Sequence, residues 1–252
     1  MNPPPTAARE IAREEQFNGI WSNQLNDVFA DVAPYYDQAN YVASLGMWDR
    51  FLREFMATVD VYKGERMLDV CAGTNAIGIA LLKREPTLEV HAIDRSAAMQ
   101  EVGQKNARAL GFTIRSTIDD VHTLPFPDNH FDIVTLQFAS RHLRVRQVFS
   151  EILRVLKPGG RFHHSDMLRP ANPLVEQAYY AYLRFCLTFT ARVFRSGQSA
   201  LDCRDYFINA IRMFYSAPEL SGVLEDLGFC NVSYRTVFAG MLGFHRAVKP
   251  RA

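Results

Sequence analysis

The chain has few cysteines. Cys71, Cys186, Cys203 and Cys230 lie far apart in 252 residues, and none forms a C-x-x-C. A disulfide framework and a thiolate zinc site are thereby disfavoured, no metal is expected, and a reducing, cytoplasmic setting fits. A charge excess is also missing. The 28 Lys and Arg against 27 Asp and Glu leave a formal net charge of +1, so bulk charge points to no nucleic-acid partner. No Gly-Lys-Ser/Thr follows a glycine-rich turn, which excludes a phosphate loop. The first residues hold three prolines and then Arg9, Glu10, Arg13, Glu14 and Glu15. They show no apolar signal region, and their acids disfavour a transit peptide. The expectation is a mobile arm over 1–15, then a single domain over 16–252 without internal repeats.

What is present is an alternation. Strand-like runs recur at about 66–71, 88–93, 112–118, 131–137 and 160–166, with helical patterns at 76–84, 96–110 and 145–156 between them. This rhythm predicts an α/β fold with a parallel sheet and a ligand site beyond the strands' C-terminal ends. Two further runs, 230–238 and 241–248, meet at Ala239-Gly240 and predict a terminal antiparallel hairpin. Asp27 to Met56 reads as helix broken near Pro34 and Gly46. Residues 171–216 interrupt the alternation and predict a helical lid. Leu174, Ala178, Tyr182, Phe185, Phe189 and Val193 share one helix face there, and Tyr179, Tyr180 and Phe194 add aromatic surface. That face either packs on the core or lines an apolar pocket or a membrane. Glu176, Arg184, Arg192 and Arg195 exclude an ordinary membrane span.

The chemistry concentrates at Met67-Leu68-Asp69-Val70-Cys71-Ala72-Gly73-Thr74-Asn75-Ala76-Ile77-Gly78. An apolar strand enters a small-residue turn and then a helix, whose N-terminal N–H groups face a ligand. Gly73 lets that ligand approach the main chain. Asp94, ending the second strand-like run, is suited to two ribose hydroxyls. A dinucleotide fingerprint would want glycine at 71, 73 and 76, where the chain has Cys71, Gly73 and Ala76. Asp69 would repel phosphate but suits an ammonium or sulfonium, as in S-adenosylmethionine. A generic turn with a strand-end acid and a nicotinamide site are the alternatives.

Asp120 and Val121 follow the third strand and can meet an adenine, with Asp119 as a substitute for Asp120. Arg141 and His142 follow the fourth strand. Arg141 can orient an oxyanion, and His142 is the side chain best suited to moving a proton near neutral pH. A surface charge and an inert histidine are their plain alternatives. His163-His164 resembles a metal pair, but neighbours on a strand point to opposite faces.

Together these segments resemble the class I S-adenosylmethionine-dependent methyltransferases and, among them, the ubiquinone/menaquinone-biosynthesis C-methyltransferase family, over about Phe29 to Lys249. Leu68-Asp69-Val70, Gly73-Thr74, Asp94, Leu124-Pro125-Phe126-Pro127-Asp128 and Leu156-Lys157-Pro158-Gly159-Gly160 are shared across many such enzymes. Phe29 to Asn40 with Ser44-Leu45-Gly46, Phe138-Ala139-Ser140-Arg141-His142, and Gly240 with His245 and Lys249 are similar to the narrower family's segments. Departures are Asn75 and Ala76 in the turn, His142 in place of an Asn, Trp48 and Phe51 where a later Trp is expected, and Asp166 in place of a Glu.

The resemblance implies a Rossmann-like seven-stranded sheet, S-adenosyl-L-methionine as cofactor, and C-methylation of a prenylated quinol, demethylmenaquinol first. The expected cofactor set is Asp69, Cys71, Ala72, Gly73, Asp94, Arg95, Asp120, Val121 and Gln137. Tyr36, Arg141 and His142 are expected on the acceptor side. Another small apolar or aromatic acceptor, or a non-catalytic cofactor-binding partner protein, are the rival readings. With a lipophilic substrate, peripheral contact with the inner face of the membrane and a homodimer stay open.

Overall fold

The apolar run Met67, Leu68 and Val70 is completely buried, as expected of a central parallel strand covered on both faces. It belongs to β1 (Arg66–Val70) in a computed structural model that describes residues 5–170, 172–193 and 204–251. The other strands are β2 (Glu89–Asp94), β3 (Arg115–Ile118), β4 (Phe131–Gln137), β5 (Leu156–Met167), β6 (Cys230–Val237) and β7 (Leu242–Val248). They form one sheet in the order β3-β2-β1-β4-β5-β7-β6. The first five strands run parallel, and β7 is antiparallel to both β5 and β6. Strand order reverses between β1 and β4, which places a ligand crevice at their C-terminal ends.

Ten helices are described: α1 (Pro5–Asn23), α2 (Leu25–Val32), α3 (Tyr36–Ala43), α4 (Trp48–Met56), α5 (Ala76–Arg84), α6 (Ala97–Ala109), α7 (Val145–Val155), α8 (Pro173–Val193), α9 (Arg204–Arg212) and α10 (Ala217–Asp226). One core joins α7 and α10 to the sheet through Val148, Phe149, Ile152, Leu220, Leu224 and Phe162. The other lies under α4 and α5, with Phe51, Phe55, Ile77 and Leu81 against Met67 and Ile133. The Ser96 hydroxyl caps α6 by accepting from Met99 N at 3.4 Å, and Ser216 with Glu219 forms a capping box on α10.

Two expectations need correction. The arm expected over 1–15 is helical from Pro5. Glu10, Arg13, Phe17 and Trp21 recur at three- and four-residue spacing and bury one face of α1. The charges on that face hid the period in the sequence. Of the two readings of the α8 stripe, packing on the core is the one that does not hold. Leu174, Phe185 and Phe189 are exposed, whereas Tyr179, Leu183 and Cys186 are buried against the body. Tyr180 is buried as well and so adds no aromatic surface. The apolar positions of α8 cover more than one face, so spacing alone could not tell which face docks. The Val193 side chain and Phe194 lie outside the described residues.

Candidate active site

The β1 turn is built on left-handed backbone at Cys71 (φ 56°), Gly73 (φ 52°) and Asn75 (φ 60°). Gly73 N donates to Asp94 Oδ2 at 2.9 Å, and Ser96 N donates to Asp94 Oδ1 at 2.9 Å. Asp94 thereby ties the first turn to the second strand. Burial raises its pKa, and the two backbone donors oppose that rise. Asn75, a residue type that tolerates this conformation, stands at the N-cap position of α5, with its side chain buried and making no capping bond. Gln100 Nε2 donates to Asn75 Oδ1 at 3.1 Å and to Gly73 O at 2.9 Å. A Cβ at Gly103 would fall 2.7 Å from Asn75 Nδ2, so α6 has a glycine where the Asn75 amide needs space.

Against this turn lies a cavity of about 100 Å³, lined by Cys71, Gly73, Asp94, Arg95, Asp120, Val121 and Gln137 among others. Seven of the nine expected cofactor residues are thus brought together. Asp69 and Ala72 are not in its wall. Asp69 is 2% exposed, its Oδ1 accepts from Thr135 Oγ1 at 2.6 Å, and burial raises its pKa to about 7. Its other oxygen, Oδ2, is buried without a hydrogen-bond partner. Asp120 is in the wall, but it accepts from His122 N at 2.9 Å and meets His122 Nδ1 at 2.6 Å. Partial burial acts to raise the Asp120 pKa, and these His122 contacts overcome it and lower it. His122, which sequence reading passed over, lines the same cavity. Gln137 Nε2 and His142 Nε2 also belong to wall residues, and both are buried without a hydrogen-bond partner. Unpaired buried polar atoms are costly, and around a cavity they mark where a polar ligand completes the bonding. An acid for a ribose, a glycine-lined turn and two open nitrogens fit an adenosyl amino acid.

A second cavity, of about 450 Å³, adjoins the first through shared wall residues Phe29 and Tyr36. Its walls come from α2, α3, α4, α8, α9 and the 238–242 segment, including Trp48, Phe51, Tyr179, Tyr182 and Leu183. Among the described residues, Arg141 is the one charged residue in that wall. Tyr36 stands at the junction of the cavities, and burial raises its phenol pKa. Phe138, at φ 56°, stacks on Trp48 with ring centroids 5.1 Å apart. Strained backbone of this kind is characteristic of functional segments.

Arg141 is held by a buried network. Its guanidinium pairs with Asp166 Oδ1 and donates to Phe138 O at 2.8 Å. Asp166 is completely buried and accepts from Ser140 Oγ at 2.5 Å, Arg141 N at 3.1 Å and Met167 N at 2.8 Å. Ser140 Oγ in turn lies 2.8 Å from His164 Nε2. Burial opposes the charge on Arg141, but Asp166 overcomes it and raises the Arg141 pKa.

The backbone of the same turn is fixed by a residue that sequence reading missed. Arg13, fully buried on α1, donates to Arg141 O at 3.0 Å and Leu143 O at 3.2 Å. His142 faces the other way from Arg141. It lines the turn-side cavity, and its Nδ1 meets the Tyr206 hydroxyl at 2.6 Å. Burial, with Arg141 and Arg13 nearby, holds the His142 pKa well below the usual histidine value. The pairing of His142 with Arg141 on the acceptor side is thus not what the geometry gives. His163 and His164 are both buried, and among the described residues no three His, Cys, Asp or Glu gather as a metal site.

A sheet of this order with a glycine turn at its switch point and an acid ending β2 defines an S-adenosylmethionine-dependent methyltransferase of the Rossmann-like class. The model of the ubiE/COQ5 methyltransferase family matches residues 18–249, and the chain belongs to that family. It is 32% identical over 243 residues to the ubiquinone/menaquinone biosynthesis C-methyltransferase UbiE of Pseudomonas syringae pv. tomato, covering 91% of this chain and 90% of that one. It is 33% identical over 229 residues to the demethylmenaquinone methyltransferase of Paenarthrobacter aurescens, covering 90% and 87%. Among solved structures, phosphoethanolamine N-methyltransferase 2 of Haemonchus contortus in complex with S-adenosyl-L-methionine shares the fold, with a TM-score of 0.60 at 17% identity. That match covers 82% of this chain and 53% of that one, so this chain spans about half of its length.

Proposed function

We propose that this methyltransferase acts on a ring carbon of a prenylated quinol, with demethylmenaquinol as the acceptor. The observation that carries the reading is the adjoining pair of cavities. One is turn-lined and holds Asp94, Arg95, Asp120 and His122 in its wall, and the other has, among the described residues, Arg141 as its single charged wall residue. S-adenosylmethionine, when bound, supplies an electrophilic methyl group. Arg141 holds the quinol oxygen as an oxyanion, which makes the neighbouring ring carbon nucleophilic. Tyr36 orients that ring at the junction. Trp48, Phe51 and Phe138 exclude water and restrict the ring to an in-line approach. Asp94 holds the cofactor ribose, and Asp120 and Val121 face its adenine. The hydroxyl proton, and the ring carbon's own hydrogen once the methyl is bound, leave as protons to solvent; burial suppresses the basicity of His142, so no proton is assigned to it.

A prenyl chain also accounts for the exposed aromatic face of α8. Phe185 and Phe189 stack in the open with ring centroids 6.1 Å apart, on the helix whose Tyr182, Leu183 and Cys186 line the apolar cavity. Exposed Arg184 and Arg192 flank them. This face suits an anionic bilayer surface, where a lipophilic quinol resides. Among the described residues no helix is long and apolar enough to cross a membrane.

The function is tested with purified protein, labelled cofactor and a panel of reduced acceptors. Prenylated naphthalenediols and benzenediols should accept label, and small amines should not. Label on amines alone would overturn the assignment.

A further inference from the structure

The mechanism leaves three side chains unused that meet above the turn-side cavity. Trp21 Nε1 on α1 donates to the Tyr206 hydroxyl at 2.9 Å, and that hydroxyl lies 2.6 Å from His142 Nδ1. Trp21 is 6%, Tyr206 6% and His142 4% exposed. Three elements far apart in sequence are thereby joined: the N-terminal helix, the lid helix α9 and the turn after β4. His142 Nε2, at the far side of the ring, is buried with no partner, and His142 belongs to the wall of the cavity that also holds Gly73 and Asp94. His163, His164 and His245 also carry unpartnered ring nitrogens, but of these four buried histidines His142 is the one that lines a cavity. The ring also meets Phe29 at 6.3 Å and Phe207 at 5.4 Å, and both of these line the apolar cavity. His142 therefore stands in the partition between the two cavities.

We propose that His142 is a cofactor-contacting residue, and that its bond to Tyr206 makes cofactor occupancy organise the lid that walls the acceptor cavity. This rests on the methyltransferase reading. A cofactor atom that hydrogen-bonds Nε2 fixes the ring. The fixed ring fixes the Tyr206 hydroxyl, and with it α9, which contributes Phe207 and Ile211 to the apolar wall. The cofactor then binds first, and the acceptor cavity takes its final shape afterwards. Tyr206 is a positioning residue in this scheme, because it acts through His142.

The test uses S-adenosylhomocysteine as the probe, with calorimetry and amide hydrogen exchange on the full chain. His142→Phe should weaken binding about tenfold through loss of one buried hydrogen bond. Tyr206→Phe, which removes a single hydroxyl, should weaken it about threefold. In the parent, the probe should slow exchange across 206–212. In Tyr206→Phe that slowing, measured against the variant's own ligand-free rate, should be largely lost. Parent-like probe affinity in His142→Phe, or full slowing in Tyr206→Phe, overturns the proposal. A parent chain that binds no probe overturns the methyltransferase reading itself, and the proposal with it.

Discussion

Replacing Asp166 with Asn removes one charge and almost no volume, so it isolates what the carboxylate does for Arg141. Asp166 is fully buried, and the Arg141 side chain is 13% exposed. Breaking a pair of this burial by deleting one partner costs ~3 kcal/mol, because the remaining charge is left uncompensated. A 252-residue chain unfolds with an entropy of about 0.5 kcal/mol per kelvin near 60 °C, so the midpoint should fall by about 6 °C. Activity should fall further than stability implies, by about 100-fold, since an Arg141 freed from Asp166 no longer meets the acceptor oxygen at a fixed place. The companion variant is Arg141→Met with Asp166→Leu. It should recover part of the lost stability, because apolar residues replace the buried charges, while Ser140 Oγ, Arg141 N and Met167 N still lose their acceptor. It should still transfer no methyl. Differential scanning calorimetry and initial rates on the three proteins decide the matter. An Asp166→Asn protein that melts within 1 °C of the parent and turns over at its rate would refute the pairing as the element that positions Arg141.

Asp94→Ala should weaken S-adenosylhomocysteine binding by about 2–3 kcal/mol, as two charge-assisted hydrogen bonds are lost. Titration calorimetry reads this directly, and unchanged affinity would remove Asp94 from the ribose site. Gly103→Ala should impair the cofactor turn, because the new methyl falls 2.7 Å from the Asn75 amide and 2.9 Å from the Thr74 carbonyl carbon. Asn75→Gly in the same chain should rescue it in part, as seen in melting temperature and probe affinity; no rescue would show that the backbone clash dominates. Acid should destabilise the protein steeply. Burial lowers the pKa of His163 and His164 to about 3 and of His245 to about 4. In the unfolded chain each takes up a proton near pH 6.5, while the folded chain does not. The stability they contribute is therefore complete above pH 6.5 and is lost as pH falls toward 4. At pH 5.5 the loss is about 1.4 kcal/mol for each histidine, about 4 kcal/mol for the three. Denaturant unfolding at pH 7.0 and 5.5 should show it, and a flat profile would contradict the neutral burial of these rings.

The parts of the fold legible in the sequence were those written in local pattern. The β1 run, the turn at Gly73, the acid at Asp94 and the hairpin at Ala239-Gly240 each carry their signal within a few residues. Asn75 was readable as a turn residue because few other side chains accept a left-handed backbone. What escaped was set by tertiary packing. Arg13 looked like a solvated charge until the carbonyls of Arg141 and Leu143 closed on it. Asp69 carried the right chemistry for a cation, but its side chain turns into the sheet toward Thr135. The docking face of α8 could not be chosen among several apolar stripes. His142 sits next to Arg141 in sequence, yet the short helical turn at 140–142 sends the two side chains into different cavities. The partnership of His142 with Tyr206 spans 64 residues, and no local pattern announces it.

The most direct test of the account is the position of the transferred methyl. Purified protein, methyl-labelled S-adenosylmethionine and reduced demethylmenaquinone should give one labelled product. Its carbon spectrum should place the label on the naphthalene ring carbon, and the yield should collapse in Arg141→Ala. Label on a quinol oxygen, or transfer undiminished by Arg141→Ala, would contradict the account of the apolar cavity and of Arg141 in its wall.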